Sequence, residues 1–121
     1  MGEDTSQSFQ WLADLCAQAD GAVGDLMWGD ELVYKVGESM FCIFKMEGNR
    51  PIEISFRPDD SARESILATP GVLAAPFPAN CGWVAMKTQA LRGPHNPEGI
   101  SPNDLEAHIQ QAYLRARKGF N

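Results

Sequence analysis

Hydrophobic residues recur at steps of three and four near the start and end of the chain, and at steps of two between them. The first stripe, Phe9–Ala19, predicts a helix over about 6–20 that ends at Gly21, a residue suited to a left-handed C-terminal position. The last stripe, Leu105–Ala116, follows a Ser-Pro-Asn-Asp sequence starting at Ser101, which is typical of a capped helix start. The chain is therefore predicted to begin and end with amphipathic helices.

Alternation of apolar and polar residues predicts three consecutive strands between Leu32 and Arg57. Two turn sequences, at 37–39 and 47–50, separate these strands and contain glycine or asparagine, which tolerate a positive φ. The third strand alternates most regularly, with Ile52, Ile54 and Phe56 expected to face inward. We expect an antiparallel meander.

The second half of the chain is predicted to hold shorter elements. A short helix follows Pro58 and stops at Pro70-Gly71. Residues 72–79 contain two prolines and are expected to be an edge strand or an extended loop. Residues 83–87 predict another strand, and 88–101 are expected to form the longest loop. The fold class is thus α+β, with a twisted antiparallel sheet of about four to six strands, helices on one face and the other face partly open.

Composition is that of a single soluble domain spanning residues 1–121. No apolar stretch approaches the roughly 20 residues needed to cross a bilayer, so no membrane partner is expected. The three cysteines, Cys16, Cys42 and Cys81, are odd in number and far apart in the sequence. They indicate buried thiols and a reducing, cytoplasmic location rather than a disulfide framework.

Charge is distributed unevenly within the formal net value of −6. Residues 1–60 hold twelve acidic and four basic residues, a net of −8, whereas residues 61–121 hold four acidic and six basic residues, a net of +2. Duplex-binding surfaces normally carry a concentrated basic face. Any surface of that kind would have to be small and confined to the second half.

Several local motifs resemble one known family over roughly residues 9–118. They are Trp28-Gly29, Phe41 following Lys35-Val36-Gly37, Pro58, Pro70-Gly71-Val72, Trp83-Val84 and Ala112-Tyr113. The family is MmcQ/YjbR, whose fold is called CyaY-like and is similar to a double-wing DNA-binding domain. The resemblance implies that α+β fold and a DNA-binding role, which the family is assigned by fold analogy.

The chain also departs from the family's pattern. Glu38-Ser39 stands where members often have Gly-Lys, and 79–82 replaces a lysine-rich sequence before Trp83. The loop 88–101 is longer than the family's usual connection. Several positive charges that the family would present are therefore missing from this chain.

Catalytic and metal sites are not expected. The sequence has no Cys-x-x-Cys pair, and His95 and His108 lack neighbouring ligand-type residues. Cys81 and His95 are the one nucleophile–base pair to consider, and Cys81 more simply fits a buried or edge position. We therefore expect no enzyme activity, no cofactor and no metal.

Basic residues of the second half are the candidate nucleic-acid contacts. They are Lys87, Arg92, Arg115, Arg117 and Lys118. Three of them end the last helix, where the helix dipole favours cations without any ligand. The alternative is a small patch that contacts phosphates. Together with the resemblance, this predicts a small non-enzymatic binding protein with weak, salt-sensitive affinity for double-stranded DNA.

A protein-interaction module is the second hypothesis. It would use the open face of the sheet, with no nucleic-acid role. The residues of this predicted interaction face are Trp28, Lys35, Phe41, Ile43 and Trp83. The tryptophans also suit positions at the edge of a core, and Lys35 suits a solvated strand position.

Overall fold

The first helix is shorter than its stripe predicts. A computed structural model describes residues 8–27, 29–75 and 82–119. Helix α1 spans Gln10–Gln18, so the predicted start near residue 6 is wrong. Phe9 is fully buried and its backbone N–H donates to the Pro51 carbonyl at 2.8 Å, which holds this residue outside the helix. Ser8 Oγ then accepts from the Gln10 N–H at 3.3 Å.

The three predicted strands are confirmed as the centre of a larger sheet. They are β2 (Glu31–Val36), β3 (Ser39–Glu47) and β4 (Arg50–Phe56). The strand β1 (Ala22–Met27) precedes them and was not predicted. Gly24 of β1 lies so close to the Tyr34 ring that a Cβ would sit 2.6 Å from Cε1, so any other residue here would push the ring aside.

The remaining elements complete a six-stranded antiparallel sheet in the order β1-β2-β3-β4-β6-β5. They are α2 (Asp60–Leu67), β5 (Val72–Ala74), β6 (Val84–Lys87), a 3₁₀ turn (Thr88–Ala90) and α3 (Pro102–Arg117). Ser101 caps α3 as predicted, because its hydroxyl accepts from the Asp104 N–H at 3.0 Å. The strand β5 is the edge strand that the sequence allowed as one of two alternatives.

Two register shifts change which side chains face the helices. Between β2 and β3, Tyr34 pairs with Cys42 and Lys35 pairs with Met40, so Phe41 is an extra residue. Phe41 consequently turns to the helix side. A second shift, between Lys45 and Met46, leaves Ile52 partly exposed although it was predicted to face inward.

The main core lies between the sheet and the helices. Its largest fully buried side chains from the sheet are Phe41, Phe44, Ile54 and Phe56, and the helices contribute Leu12, Leu105 and Ile109. A smaller cluster covers the reverse face, where Val33, Ile43, Ala75, Trp83 and Ala85 pack together and are each at most 5% exposed. The middle of that face is therefore closed, whereas Val23 and Leu73 towards its edges are 57% and 70% exposed, so the face is partly open as predicted.

Candidate functional site

A groove of about 660 Å³ lies where α1, the 3₁₀ turn and the start of α3 meet. We call it the loop groove, because residues 88–96 supply most of its walls. Its volume is within the range of small-molecule sites in proteins. The lining residues are Trp11, Thr88, Gln89, Leu91, Arg92, Gly93, Pro94, His95, Asn96 and Pro102.

The walls of the loop groove are held by hydrogen bonds. Gly93 and Asn96 bond to each other through both backbone pairs, at 3.2 and 3.0 Å. The Asn96 side-chain amide donates to the carbonyls of Pro70 and Gln89, at 3.1 and 3.0 Å. The Ile100 N–H donates to the Ala90 carbonyl at 2.9 Å. The loop is therefore held in place by hydrogen bonds to itself and to the turn after α2.

The chemistry of the loop groove combines an aromatic surface with cationic and polar groups. The Trp11 indole is partly buried and tilted against the Phe9 ring, with centroids 6.0 Å apart. Arg92 Nε donates to the Gly99 carbonyl at 3.2 Å, which orients the guanidinium group. No carboxylate pairs with Arg92 among the described residues. The exposed side chain of His95 lies on the same wall.

A second cleft, of about 330 Å³, separates α1 from α3 and is lined largely by apolar side chains. Cys16 lies in its wall, and the Cys16 thiol contacts the thiol of Cys42. Burial is the main reason that the pKa of Cys42 lies well above its usual range, and the contact with Cys16 adds to it. Cys42 is therefore held as a neutral thiol, which is a poor nucleophile.

The five predicted DNA-contacting cations do not form one patch. Lys87 and Arg92 lie near the loop groove. Pro102, which also lines this groove, is the first residue of α3. A rise of about 1.5 Å per residue places Arg115 about 20 Å from Pro102 along α3. Lys87 is exposed and lies opposite Glu53, so a carboxylate faces it across the strands.

The three cations at the end of α3 differ in what surrounds them. Arg115 donates through Nη2 to the Arg57 carbonyl and is partly buried, and burial lowers its pKa. Arg117 lies 3.7 Å from Asp20 Oδ2 and over the Tyr113 ring, with its Cζ 6.0 Å from the ring centroid. Lys118 is exposed at the helix end. Their role as DNA contacts stays a prediction.

The predicted interaction face is not a single exposed surface. Phe41 is 1% exposed and packs edge-on against Tyr113 on the helix side, so its assignment to the open face is wrong. Ile43 and Trp83 are on the opposite face but are buried. Lys35 is partly exposed on β2, and Trp28 lies outside the described residues.

Metal ligands do not cluster within 8–27, 29–75 and 82–119: no three residues of the histidine, cysteine, aspartate and glutamate types come together there. Cys81 lies outside these ranges, so its pairing with His95 stays untested. His108 stacks on Phe56 at 6.2 Å, and its pKa is lowered mainly by burial. Among the described helices, none is long and apolar enough to cross a membrane.

Comparison with known proteins identifies the family. The YjbR family model matches residues 17–115, and this chain belongs to the YjbR family. The fold is similar to that of the Deinococcus radiodurans protein DR2400, which contains a DUF419 domain. The TM-score is 0.73 and the sequence identity is 19%. The match covers 96% of this chain and 83% of that chain.

A second solved structure, a structural genomics target from Pseudomonas syringae, is similar with a TM-score of 0.64 and 14% identity. The match covers 91% of this chain and 99% of that chain. A comparison with curated proteins finds no match. The two structural likenesses confirm the fold and carry no activity with them.

Sequence reasoning missed the loop groove as a site. The sequence pattern assigns Arg92 to phosphate contacts and gives Trp11 no place in a site. The one usable signal was the unusual length of the loop 88–101, rich in glycine and proline. Nothing in the sequence pattern shows that this loop lies beside Trp11.

Proposed function

We propose that this YjbR-family protein is a non-enzymatic binding protein whose ligand is a small planar anion, such as an aromatic carboxylate, held in the loop groove. The observation that carries the proposal is the meeting of Trp11 and Arg92 on the walls of one ordered groove. An indole face stacks on planar rings, and a guanidinium group binds carboxylates through paired N–H donors.

The charge around the loop groove agrees with an anionic ligand. Arg92, which lines the groove, is without a carboxylate partner in the described part of the chain. A small anion avoids the repulsion that a net charge of −6 imposes on a long polyanion. Hydrogen bonds fix the loop before binding, which lowers the entropic cost of ordering it.

A titration followed by ¹⁵N–¹H NMR tests this function. Naphthalene-2-carboxylate is added as the probe, and the indole N–H signal of Trp11 is expected to shift and saturate. Arg92→Gln should weaken binding about ten- to hundredfold, since a hydrogen bond to a charged group contributes about 1.5–3 kcal/mol. Trp11→Leu should weaken binding of the same probe.

Two matched controls separate stacking from charge recognition. Naphthalene-2-methanol keeps the ring system but lacks the carboxylate, so Arg92→Gln should leave its binding unchanged. Lys118→Gln removes an exposed cation at the far end of α3 and should leave carboxylate binding unchanged. The proposal fails if the Trp11 signal stays fixed, or if Arg92→Gln affects both probes equally.

Weak binding of double-stranded DNA is the finer proposal that the family resemblance supplies. The exposed pair Arg117 and Lys118 supports it, since both lie at the C-terminal end of α3. Retention on duplex DNA at low salt, falling steeply as salt rises, is the expected result. The triple variant Arg115→Ala/Arg117→Ala/Lys118→Ala should abolish this retention, and unchanged retention would remove these residues from consideration.

A protein partner is supported at the rims of the sheet, where three large apolar side chains of the described residues are exposed. Val23 and Leu26 on β1 are 57% and 65% exposed, and Leu73 on β5 is 70% exposed. These edges replace the predicted interaction face as the surface to test.

The location that we propose is cytoplasmic. The free thiols of Cys16 and Cys42, which contact each other, support this location because such pairs persist in reducing compartments.

A further inference from the structure

The strand β1 forms an edge of the sheet whose outer side is not paired. It lies at one end of the strand order and pairs with β2 alone. Its burial differs from that of the inner strands, because all four residues from Val23 to Leu26 are exposed. In the described part of the chain, no backbone–backbone hydrogen bond joins 23–27 to an element other than β2. Alternate residues of an edge strand turn both backbone groups outward, so β1 has the hydrogen-bonding edge that an added strand requires.

The opposite edge of the sheet is less suited to an added strand. The strand β5 is three residues long, Val72–Ala74, whereas β1 is six residues long. A short edge strand offers few ladder hydrogen bonds and is a common protection against unwanted pairing. The strand β1 has neither a proline nor a register shift in its pairing with β2. At the usual rise per residue it extends about 20 Å, which is long enough to hold a peptide of similar length.

Exposed apolar side chains lie on both faces of the sheet beside the β1 edge. Leu26 pairs with Leu32, which packs against the main core, so Leu26 is on the helix face. Val23 is three positions away from Leu26 along the strand and is therefore on the reverse face. These residues are 65% and 57% exposed, respectively. An added strand directs alternate side chains to the two faces, so it would cover both Leu26 and Val23.

The charge along the β1 edge is negative. Residues 20–38, which include β1 and β2, hold five acidic residues and one lysine. Asp20 and Asp30 each form an ion pair with a cation of this chain, at 3.7 and 3.8 Å. Asp25, in the middle of β1, is exposed and has no ion-pair partner among the described residues. A lysine or arginine directly opposite Asp25 in an added strand would therefore be stabilising.

We propose that β1 binds a basic, extended peptide segment of a partner protein, which joins the sheet as a further strand with a lysine or arginine opposite Asp25. Main-chain hydrogen bonds hold the segment, and its apolar side chains cover Leu26. A second copy of this chain suits the edge less well, because each copy would present the same acidic strand to the other. The inference rests on the protein partner proposed at the rims of the sheet, and it is independent of the loop groove.

A synthetic peptide provides a direct test. Acetyl-Lys-Val-Lys-Ile-Lys-Val-Lys-amide is titrated into the full chain and followed by ¹⁵N–¹H NMR, and the amide signals of 22–27 should shift and saturate. Asp25→Lys should weaken binding about three- to tenfold, because a cross-strand pair of opposite charge becomes a pair of like charge. Glu98→Lys makes the same change of charge at an exposed position in the loop 88–101 and should bind the peptide as the wild type does. Shifts that do not saturate, or equal affinity in Asp25→Lys and the wild type, would overturn the proposal.

Further arms test the strand geometry and the occupant without changing the fold. The same peptide with an N-methyl group on every residue keeps its charge but has no ladder donors, so it should bind at least about tenfold more weakly. Equal affinity for this peptide would overturn strand addition in favour of a purely electrostatic contact. Without peptide the chain should sediment as a monomer, and a dimer that Asp25→Lys alters would overturn the peptide occupant in favour of a second copy. Arg92→Gln should bind the peptide as the wild type does, so a failure of the loop groove proposal leaves this one standing. Weaker peptide binding in Arg92→Gln would overturn the assignment to β1.

Discussion

Replacing Asn96 by alanine removes two hydrogen bonds that hold the loop groove together. The Asn96 amide donates to Gln89 within the loop and to Pro70 in the turn after α2. Asn96 is therefore the side chain that ties the wall of the groove to the rest of the fold. Its loss should loosen the loop without disturbing the sheet.

The expected loss of stability follows from the two bonds. Each intramolecular hydrogen bond contributes about 1 kcal/mol, and water partly replaces those near the surface, so Asn96→Ala should cost about 1–2 kcal/mol. At this chain length, about 4 °C of melting temperature corresponds to each kcal/mol, which gives a decrease of about 4–8 °C. Asn96→Asp should cost a similar amount, because it keeps the shape but loses both donors.

Urea unfolding followed by circular dichroism measures this change, and amide hydrogen exchange at Gly93 reports on the loop. Gly93 donates to the Asn96 carbonyl, so its exchange should accelerate in Asn96→Ala. Asn103→Ala, at an exposed position in the first turn of α3, is the control and should change stability by less than about 0.5 kcal/mol. Wild-type stability together with unchanged exchange at Gly93 would refute the reasoning.

Further predictions concern the core, a helix cap and pH. Phe44→Ala, at a fully buried position, should lower the free energy of unfolding in urea by about 3–5 kcal/mol. Leu73→Ala, at an exposed edge, should lower it by less than about 0.5 kcal/mol. Equal losses in the two variants would contradict the assigned core. Ser101→Ala should cost about 1 kcal/mol, because the Asp104 N–H loses its acceptor; an unchanged urea midpoint would argue against this cap. Burial lowers the pKa of His108, so the unfolded chain binds protons at a higher pH than the folded chain. Stability should therefore fall as pH falls from about 6.5 towards the folded pKa, and His108→Gln should show a shallower fall in urea midpoint; an equal fall in both proteins would contradict this.

The strand β4 could be predicted most clearly, because Ile54 and Phe56 are buried whereas Glu53 and Ser55 are partly exposed. The alternation of side-chain types between Leu32 and Arg57 also predicted β2 and β3, although both are buried on two faces in their middles. The strand β1 lacked that signal, because it is an edge strand whose Val23 and Leu26 remain exposed. Its pairing with β2 depends on backbone hydrogen bonds, which side-chain patterns do not encode.

The orientation of Phe41 shows a second limit of pattern reading. A strict period of two places Phe41 with Ile43, away from the helices. The extra residue between β2 and β3 shifts Phe41 to the helix side, where it contacts Tyr113. A bulge of this kind follows from how two strands pair, so neither strand's sequence predicts it alone.

The candidate sites are harder to predict than the fold, because they join residues that are distant in the sequence. Trp11 and Arg92 line one groove although the sequence places them far apart. The glycines and prolines of 88–101 correctly indicated a loop. The same glycines and prolines did not indicate that backbone hydrogen bonds would order the loop. Gly93 and Asn96 bond to each other, and Ile100 bonds to Ala90.

A crystallographic fragment screen tests the central claim most directly, because it does not assume the identity of the ligand. If the loop groove is the binding site, planar anionic fragments should collect between Trp11 and Arg92. Fragments that bind repeatedly in the cleft between α1 and α3 while the loop groove stays empty would contradict the claim.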